Sequence, residues 1–263
     1  MPCHPDGARR FTKGDRVATA GFPAARGKGT WAEYVPFPEG DLIRVPASVS
    51  DEAAAQFLVN PVTVYGMLEL SGAKAGDWVI QDAAGSTLGR QMISLCKHRG
   101  IHTINVVREA RPDLVADLKA LGADLVVEQS ADVTAAAQEA TGGRGCVAGF
   151  DAVAGDATAQ LQRALGTNGT VFMYGLMSGM EAKMDAAQAL FAQTGTRGFW
   201  LVPYLEAMDA ARREKVFQEV MSLIETKVIK PEAFVGAKYS LDQWAEAIAH
   251  SQQPARKGKV FLA

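Results

Sequence analysis

The chain has 263 residues, enough for one large or two modest domains with ample core. It is 48% hydrophobic and 21% charged, as in an ordinary globular protein, and its net charge of −2 gives no electrostatic reason to expect nucleic acid or an anionic membrane as partner. No apolar run approaches the roughly 20 residues that span a bilayer, the start MPCHPDGARRF has no apolar signal region, and Cys3, Cys96 and Cys146 make no disulfide framework; a reducing, cytoplasmic setting follows.

The first part reads as β-rich: GDRVATAGF, GTWAEYVPF and DLIRVP are short strands broken by Gly and Pro. SDEAAAQFLVNPVTVYGMLEL reads as helix up to Asn60-Pro61, with Ser50 as N-cap and Pro61 breaking or restarting it. From Asp77 the rhythm becomes alternating strand and helix. Strands are predicted over 78–82, 103–107, 125–128, 147–152, 169–174 and 197–201. The clearest helix follows the first of them. Leu88, Met92, Leu95 and Cys96 share one face, Lys97, His98 and Arg99 fill the last turn, and Gly100 supplies the stop. PDLVADLKALGA has Pro112 near its start and Gly122 at its end. Repeated β-α units imply a parallel sheet with right-handed crossovers, and six strands fit a doubly wound α/β dinucleotide fold. After Pro203, LEAMDAARREKVFQEVMSLIETKVI reads as one long helix, and AKYSLDQWAEAIAHSQQPARKGKVFLA as strand, helix, strand.

The stretch VIQDAAGSTLGR places small residues between the first strand and its helix, where free N–H groups and the positive end of the helix dipole suit a phosphate. Reading back from Gly89, the two earlier glycine positions of the usual fingerprint hold Ser86 and Ala84, so the loop alone is a weak signal, equally open to a packing role. The second strand adds to it. It ends TINVVR, with Arg108 nineteen positions past Gly89, where an NAD site would place a carboxylate for the ribose hydroxyls. A guanidinium cannot accept those hydrogen bonds but suits a 2′-phosphate, with Arg111 close behind. The cofactor read from these positions is NADPH. The plainer alternative is two solvated surface arginines.

These residues carry a resemblance. GTWAEY, FLVNPVTVYGML, GDWVIQDAAGSTLGR, GIHTINVVR, LKALGAD, GTVFMYGLM, TRGFWLVP and GKVFLA together resemble the medium-chain dehydrogenase/reductase superfamily, from about Phe11 to the end. Within it the chain looks most like the zinc-free trans-2-enoyl thioester reductases, with quinone reductases as near cousins. The resemblance implies a partial, mostly β GroES-like catalytic domain over 1–60, a Rossmann cofactor domain over 61–202, and a return to the catalytic domain over 203–263. It implies that Asn60 approaches the nicotinamide side and that Gly85, Ser86, Thr87 and Leu88 form the pyrophosphate loop. Arg108 and Arg111 fall on the 2′-phosphate site. Tyr174, Gly175, Leu176 and Met177 fall where the nicotinamide half is held. Phe199, Trp200 and Leu201 fall on a strand beside the nicotinamide and substrate cleft, and Lys259 matches a basic residue near the cofactor. Thr63 and Trp200 are the polar candidates for the substrate pocket, against a plainer packing role. A homodimer paired along the edge strand of the cofactor domain is also implied.

There are departures from the family pattern. The family commonly has Asn where this chain has Asp82 and Gly85, and REARPD carries one residue more than the usual RDRPD. An ionised Asp82 beside the pyrophosphate would repel it unless its side chain turns away or finds a donor. Family members begin with further strands that supply a tyrosine resembling a general acid; Tyr34, Tyr65, Tyr174, Tyr204 and Tyr239 do not match that position. The chain is therefore expected to be a natural short form or the product of a displaced start, with an exposed sheet edge and lowered stability. No Cys, His and carboxylate set has the spacing of a catalytic zinc site, so no metal is expected.

The function these readings imply is NADPH-dependent reduction of a conjugated double bond, in 2-enoyl thioesters of fatty acid metabolism. An NADPH-dependent quinone reductase is the first alternative, and an NADPH-binding pseudoenzyme without the tyrosine segment the second. The partner is a small molecule, not a nucleic acid or a membrane. The setting is the cytoplasm, or the mitochondrial matrix if a transit segment precedes the chain.

Overall fold

A computed structural model of the protein describes residues 10–21, 29–253 and 258–263. The chain divides into two compact units, Met1–Val59 with Glu214–Ala263, and Asn60–Arg213. Cys3 and His4 lie outside the described residues.

The first unit opens with β1 (Val17–Thr19), antiparallel to β2 (Leu42–Arg44), with Ala18 opposite Ile43. GTWAEYVPF, expected as a strand, forms none, and Tyr34 within it is 89% exposed. Pro36 and Pro38 have no N–H to give a ladder, so the aromatic residues there could not recruit a partner strand. Helix α1 (Asp51–Ala55) is capped by Ser50, whose hydroxyl accepts the Ala53 N–H. It ends at Ala55, five residues before Asn60, where the sequence reading had continued it. Phe57 and Leu58 instead turn inward and are buried.

The second unit starts with α2 (Asn60–Ser71), which carries Pro61 in its first turn, where the missing N–H has no helical partner to lose. Residues 61–68 of α2 are all buried. Then follow β3 (Trp78–Gln81), α3 (Thr87–His98), β4 (His102–Val107), α4 (Pro112–Leu121), β5 (Leu125–Glu128), α5 (Val133–Ala140), β6 (Cys146–Asp151), α6 (Asp156–Arg163), β7 (Leu165–Met173), α7 (Ala186–Phe191) and β8 (Gly195–Gly198). All six strands are parallel, in the order β5-β4-β3-β6-β7-β8. This is the doubly wound Rossmann order, whose direction of winding reverses between β3 and β6. Ile80, Ile104, Val106, Leu161 and Val171 belong to one buried cluster, and Ala84, Ile93, Val107 and Leu118 to another. A polar link ties α3 to the sheet. The Gln81 amide donates to the Gly89 carbonyl and to Asn105 Oδ1, both at 2.9 Å. A Cβ on Gly89 would lie 2.7 Å from Ala84 Cα, so only glycine allows this approach of helix to strand.

Two elements near the end of this unit differ from expectation. The last strand stops at Gly198, not Leu201, although the Phe199 N–H still bonds the Met173 carbonyl at 2.8 Å. Trp200 caps a short helix, α8 (Leu201–Glu206), whose first turn holds Pro203. The predicted long helix is two: α8 ends at Glu206, and α9 (Ala210–Glu225) begins after Asp209, which accepts the Arg212 N–H at 2.7 Å. An Asp at that place starts a helix more readily than it continues one.

Beyond the boundary, α9 buries Val216, Phe217, Val220, Met221 and Ile224, and Phe217 meets Phe57 edge-on, with ring centroids 5.6 Å apart. Strands β9 (Val235–Tyr239) and β10 (Lys259–Leu262) pair in parallel, and α10 (Trp244–Ser251) lies between them in sequence. Among the described residues, no helix is long and apolar enough to cross a membrane.

Candidate cofactor site

The β3–α3 loop sits at the reversal of the sheet, where doubly wound folds take their ligands. Ala83 has φ 44°, a strained conformation for a residue with a side chain, of the kind that concentrates at functional loops. Ser86 caps α3, its hydroxyl accepting the Gly89 N–H at 3.1 Å. The N–H groups of Thr87 and Leu88, in the first turn of α3, have no helical acceptor and stand ready for an anion. Arg90 steadies the loop from within the helix, donating Nε–H to the Gly85 carbonyl at 3.1 Å. Gly85 and Ser86 thus close the loop after β3, and Thr87 and Leu88 open α3.

Arg108 is exposed just past the end of β4 and makes no hydrogen bond or ion pair with another described residue. The following turn is held by Glu128, which accepts the Ser130 hydroxyl at 2.5 Å and the Ala110 N–H at 3.1 Å; those bonds, the Ser130 one first, lower its pKa. Arg111 is the N-cap of α4, with its Nε 3.7 Å from the Asp113 carboxylate in an exposed pair of little energetic weight.

Opposite the β3 loop, β6 ends at Asp151. Its Oδ1 accepts the N–H groups of Val153 (2.8 Å) and Ala154 (2.7 Å), and its Oδ2 the Thr158 hydroxyl (2.5 Å). These bonds hold Ala154 at φ 65°, a second strained non-glycine residue on this edge of the sheet. Asp82 is also buried, and its Oδ1 accepts the Ala152 N–H at 2.8 Å. The side chain therefore turns toward the β6 loop and finds a donor there. Burial first, and then the Asp151 charge beside it, push its pKa up to about 8.

The segment after β7 closes on the same loop. The N–H groups of Tyr174 and Gly175 bond the Asp151 carbonyl, that of Met177 the Ala152 carbonyl, and that of Ser178 the Val153 carbonyl. A Cβ on Gly175 would lie 2.5 Å from the Ala152 oxygen, so the two loops touch backbone to backbone. Leu176 and Met177 remain exposed on the rim. Burial above all raises the pKa of the Tyr174 hydroxyl, which lies in the interior with no hydrogen-bond partner.

Other expected site residues stand apart from these loops in sequence. Asn60 opens α2, and Thr63 is buried in its first turn. Phe199 is buried against Tyr204, with ring centroids 5.2 Å apart; Leu201 is buried in α8, and Trp200 is 70% exposed. The expectation that these three share a strand is corrected: only the backbone N–H of Phe199 continues the ladder, and Leu201 begins α8 instead, with Trp200 as its N-cap. Trp200 lines a cavity of about 370 Å³ with Glu69, Arg197, Tyr204 and Arg212, in which Glu69 binds both the Tyr204 hydroxyl and Arg212. Lys259 lies on β10 of the other unit. The sequence reading missed Asp151, Val153 and Ala154. A local sign was the Asp-Ala pair that FDAVAG, at the end of β6, shares with QDAAGS, at the end of β3.

The arrangement fits a dinucleotide: a backbone cradle with two free N–H groups, an unpaired guanidinium at the neighbouring strand end, and loops sealed without side-chain bulk. A metal does not fit in the same way. No group of three His, Cys, Asp or Glu residues among the described residues could hold one. The two described cysteines are buried, and burial raises the thiol of Cys146 to about 12.

The sequence model of the zinc-binding dehydrogenases matches residues 87–225. The mitochondrial enoyl-[acyl-carrier-protein] reductase of Dictyostelium discoideum is 31% identical over 245 residues, 92% of this chain and 67% of that protein. That of Caenorhabditis elegans is 32% identical over 253 residues, 95% and 71% of the two. The chain belongs to the medium-chain dehydrogenase/reductase superfamily. The human enoyl-[acyl-carrier-protein] reductase, 29% identical over 249 residues, is covered to 65% of its length, so the chain spans about two thirds of these relatives. Among solved structures, a Bacillus thuringiensis protein described as an NADPH:quinone reductase superposes with a TM-score of 0.82 at 27% identity, over 90% of this chain and 72% of that one. A mycobacterial quinone oxidoreductase at 23% identity shares the fold with a TM-score of 0.84, over 97% of this chain and 76% of that one. In this superfamily the chain stands with the enoyl and quinone reductases, and it is an oxidoreductase by that membership. The metal named in the family description finds no ligand set among the described residues, and no chemical step is drawn through one.

Proposed function

We propose that this chain binds NADPH and reduces the conjugated double bond of a 2-enoyl thioester. The observation that carries the cofactor is Arg108, unpaired at the end of β4 where the fold puts the adenosine ribose. The substrate class follows the enoyl reductases to which the chain is about 30% identical over nearly all its length. Gly85, Ser86, Thr87 and Leu88 hold the pyrophosphate, Arg108 with Arg111 the 2′-phosphate, and the turn from Tyr174 to Met177 the nicotinamide half. Asn60, Thr63, Phe199, Trp200, Leu201 and Lys259 are assigned to the nicotinamide and substrate side. Bound NADPH supplies a hydride to the β-carbon; the chain's part is to orient it and to exclude water. No residue of this chain is assigned as the general acid. A reduction of quinones by the same site is the second reading, favoured by the Bacillus structure.

The edge strand β8, flanked by the exposed Leu190, Phe191 and Trp200, supports a homodimer paired along it. The relatives' names support the mitochondrial matrix as the alternative to the cytoplasmic setting.

The deciding experiment follows NADPH absorbance with a trans-2-enoyl-CoA and, separately, a quinone, with NADH as control. Turnover of the enoyl thioester with NADPH and not NADH is expected. Turnover of the quinone alone selects the second reading, and binding of NADPH without turnover of either selects a pseudoenzyme. Arg108→Glu should abolish the preference for NADPH over NADH, a loss of about 10- to 100-fold for a charge-assisted hydrogen bond to phosphate. Unchanged NADPH affinity in that variant would sink the assignment.

A further inference from the structure

Asp82 directly follows β3 and Asp151 ends β6, the two strands on either side of the sheet's reversal, and both are buried. Asp151 has three donors on its two oxygens, two on Oδ1 and one on Oδ2, so Oδ2 can still accept one more. Asp82 is less well provided. Its Oδ1 has the Ala152 N–H, while its Oδ2 is shut off from solvent with no donor. The titratable groups facing Asp82 are Asp151, at the end of β6, and Tyr174, after β7; among the described residues Asp82 makes no ion pair with a Lys, Arg or His. Two ionised carboxylates here would repel, and neither could donate to the other. A protonated Asp82 removes the conflict, because its O–H donates toward Asp151 while its other oxygen keeps the Ala152 N–H. A carboxylic acid in that state has the hydrogen-bonding shape of an amide.

We propose that Asp82 is a positioning residue whose carboxyl shares one proton with Asp151, and that this proton ties the β3 loop to the β6 loop in the form that receives the dinucleotide phosphates. The inference rests on the cofactor reading given above. Loss of the proton breaks the tie and sets a second negative charge beneath a bound pyrophosphate. Both effects weaken binding in the same direction.

The test measures NADPH affinity by fluorescence from neutral to alkaline pH for the full chain and for Asp82→Asn and Asp82→Ala. The native chain should lose about tenfold in affinity per pH unit above about pH 8, as one linked proton requires. Asp82→Asn, which donates without a titratable proton, should bind with no alkaline fall, and Asp82→Ala should bind weakly throughout. Infrared spectroscopy of the cofactor-free chain supplies an independent reading: a protonated-carboxyl band at neutral pH that bleaches on alkalinisation and is missing in Asp82→Asn. Absence of that band from the native chain overturns the proposal, whatever the cofactor does. An alkaline fall that persists in Asp82→Asn also overturns it. Failure of every form to bind NADPH, with the band present, overturns the cofactor reading and leaves the shared proton standing.

Discussion

At the scale of single residues, the site is governed by groups placed where they could not stand alone. Asp82 has a folded pKa of about 8 against an ordinary value near 4. Across that window the folded chain holds a proton that the unfolded chain has released. The contribution of this one group to stability is therefore greatest at the acid side, falls as pH rises from about 4 toward about 8, and levels off above. Urea unfolding at a series of pH values should show this slope in the native chain and its removal in Asp82→Asn, whose advantage over the native chain grows with pH. Equal slopes would mean that Asp82 is ionised in the fold. Gly175 sets a different kind of limit. Its missing Cβ would lie 2.5 Å from a main-chain oxygen that cannot swing away. Gly175→Ala should cost about 1–3 kcal/mol in a denaturant titration, as overpacking does, and should weaken NADPH binding by displacing the turn. Arg108, a cation in the place of the expected acid, was legible from spacing alone. Beyond its Asp-Ala likeness to the β3 loop, Asp151 was not, because nothing local in FDAVAG says that its carboxylate will be buried and filled by donors from its own turn.

At the scale of elements, the chemistry of helix ends decided most boundaries. Ser86 caps α3 and shapes the phosphate loop at once. Ser86→Ala should lower stability by about 1 kcal/mol, the usual cost of a lost cap, and should also weaken NADPH binding. A stability loss with unchanged affinity would show that the cap serves the helix alone. Helices α3 and α4 were readable because periodicity, a starting residue and a stopping glycine agreed, and Gly122 takes the left-handed φ of 108° that a stop requires. The readings failed where two signals competed. Asp209 cut a long polar helix that looked continuous, and Pro36 with Pro38 kept aromatic residues out of a sheet.

At the scale of the molecule, the α/β alternation implied a parallel sheet, and the strand order places the loops after β3, β4, β6 and β7 on one edge of it. The outermost strand, β8, has one side unpaired among the described residues, and its neighbours Leu190, Phe191 and Trp200 are exposed. Sedimentation velocity should find a dimer, and Phe191→Glu should shift it toward monomer without loss of helix content by circular dichroism. A native monomer at micromolar concentration would remove the edge-pairing reading.

The sequence by itself determined the succession of strands and helices, the small-residue loop and its cap, and the cation at the second strand end, because each depends on neighbours a few positions away. Only the tertiary structure decided that Asp82 and Asp151 are buried side by side, that Gly175 lies against Ala152, and that the Tyr174 hydroxyl is enclosed without a partner. The Asp82–Asp151 pair joins residues about seventy positions apart, and burial and charge act through space. No local pattern could report them.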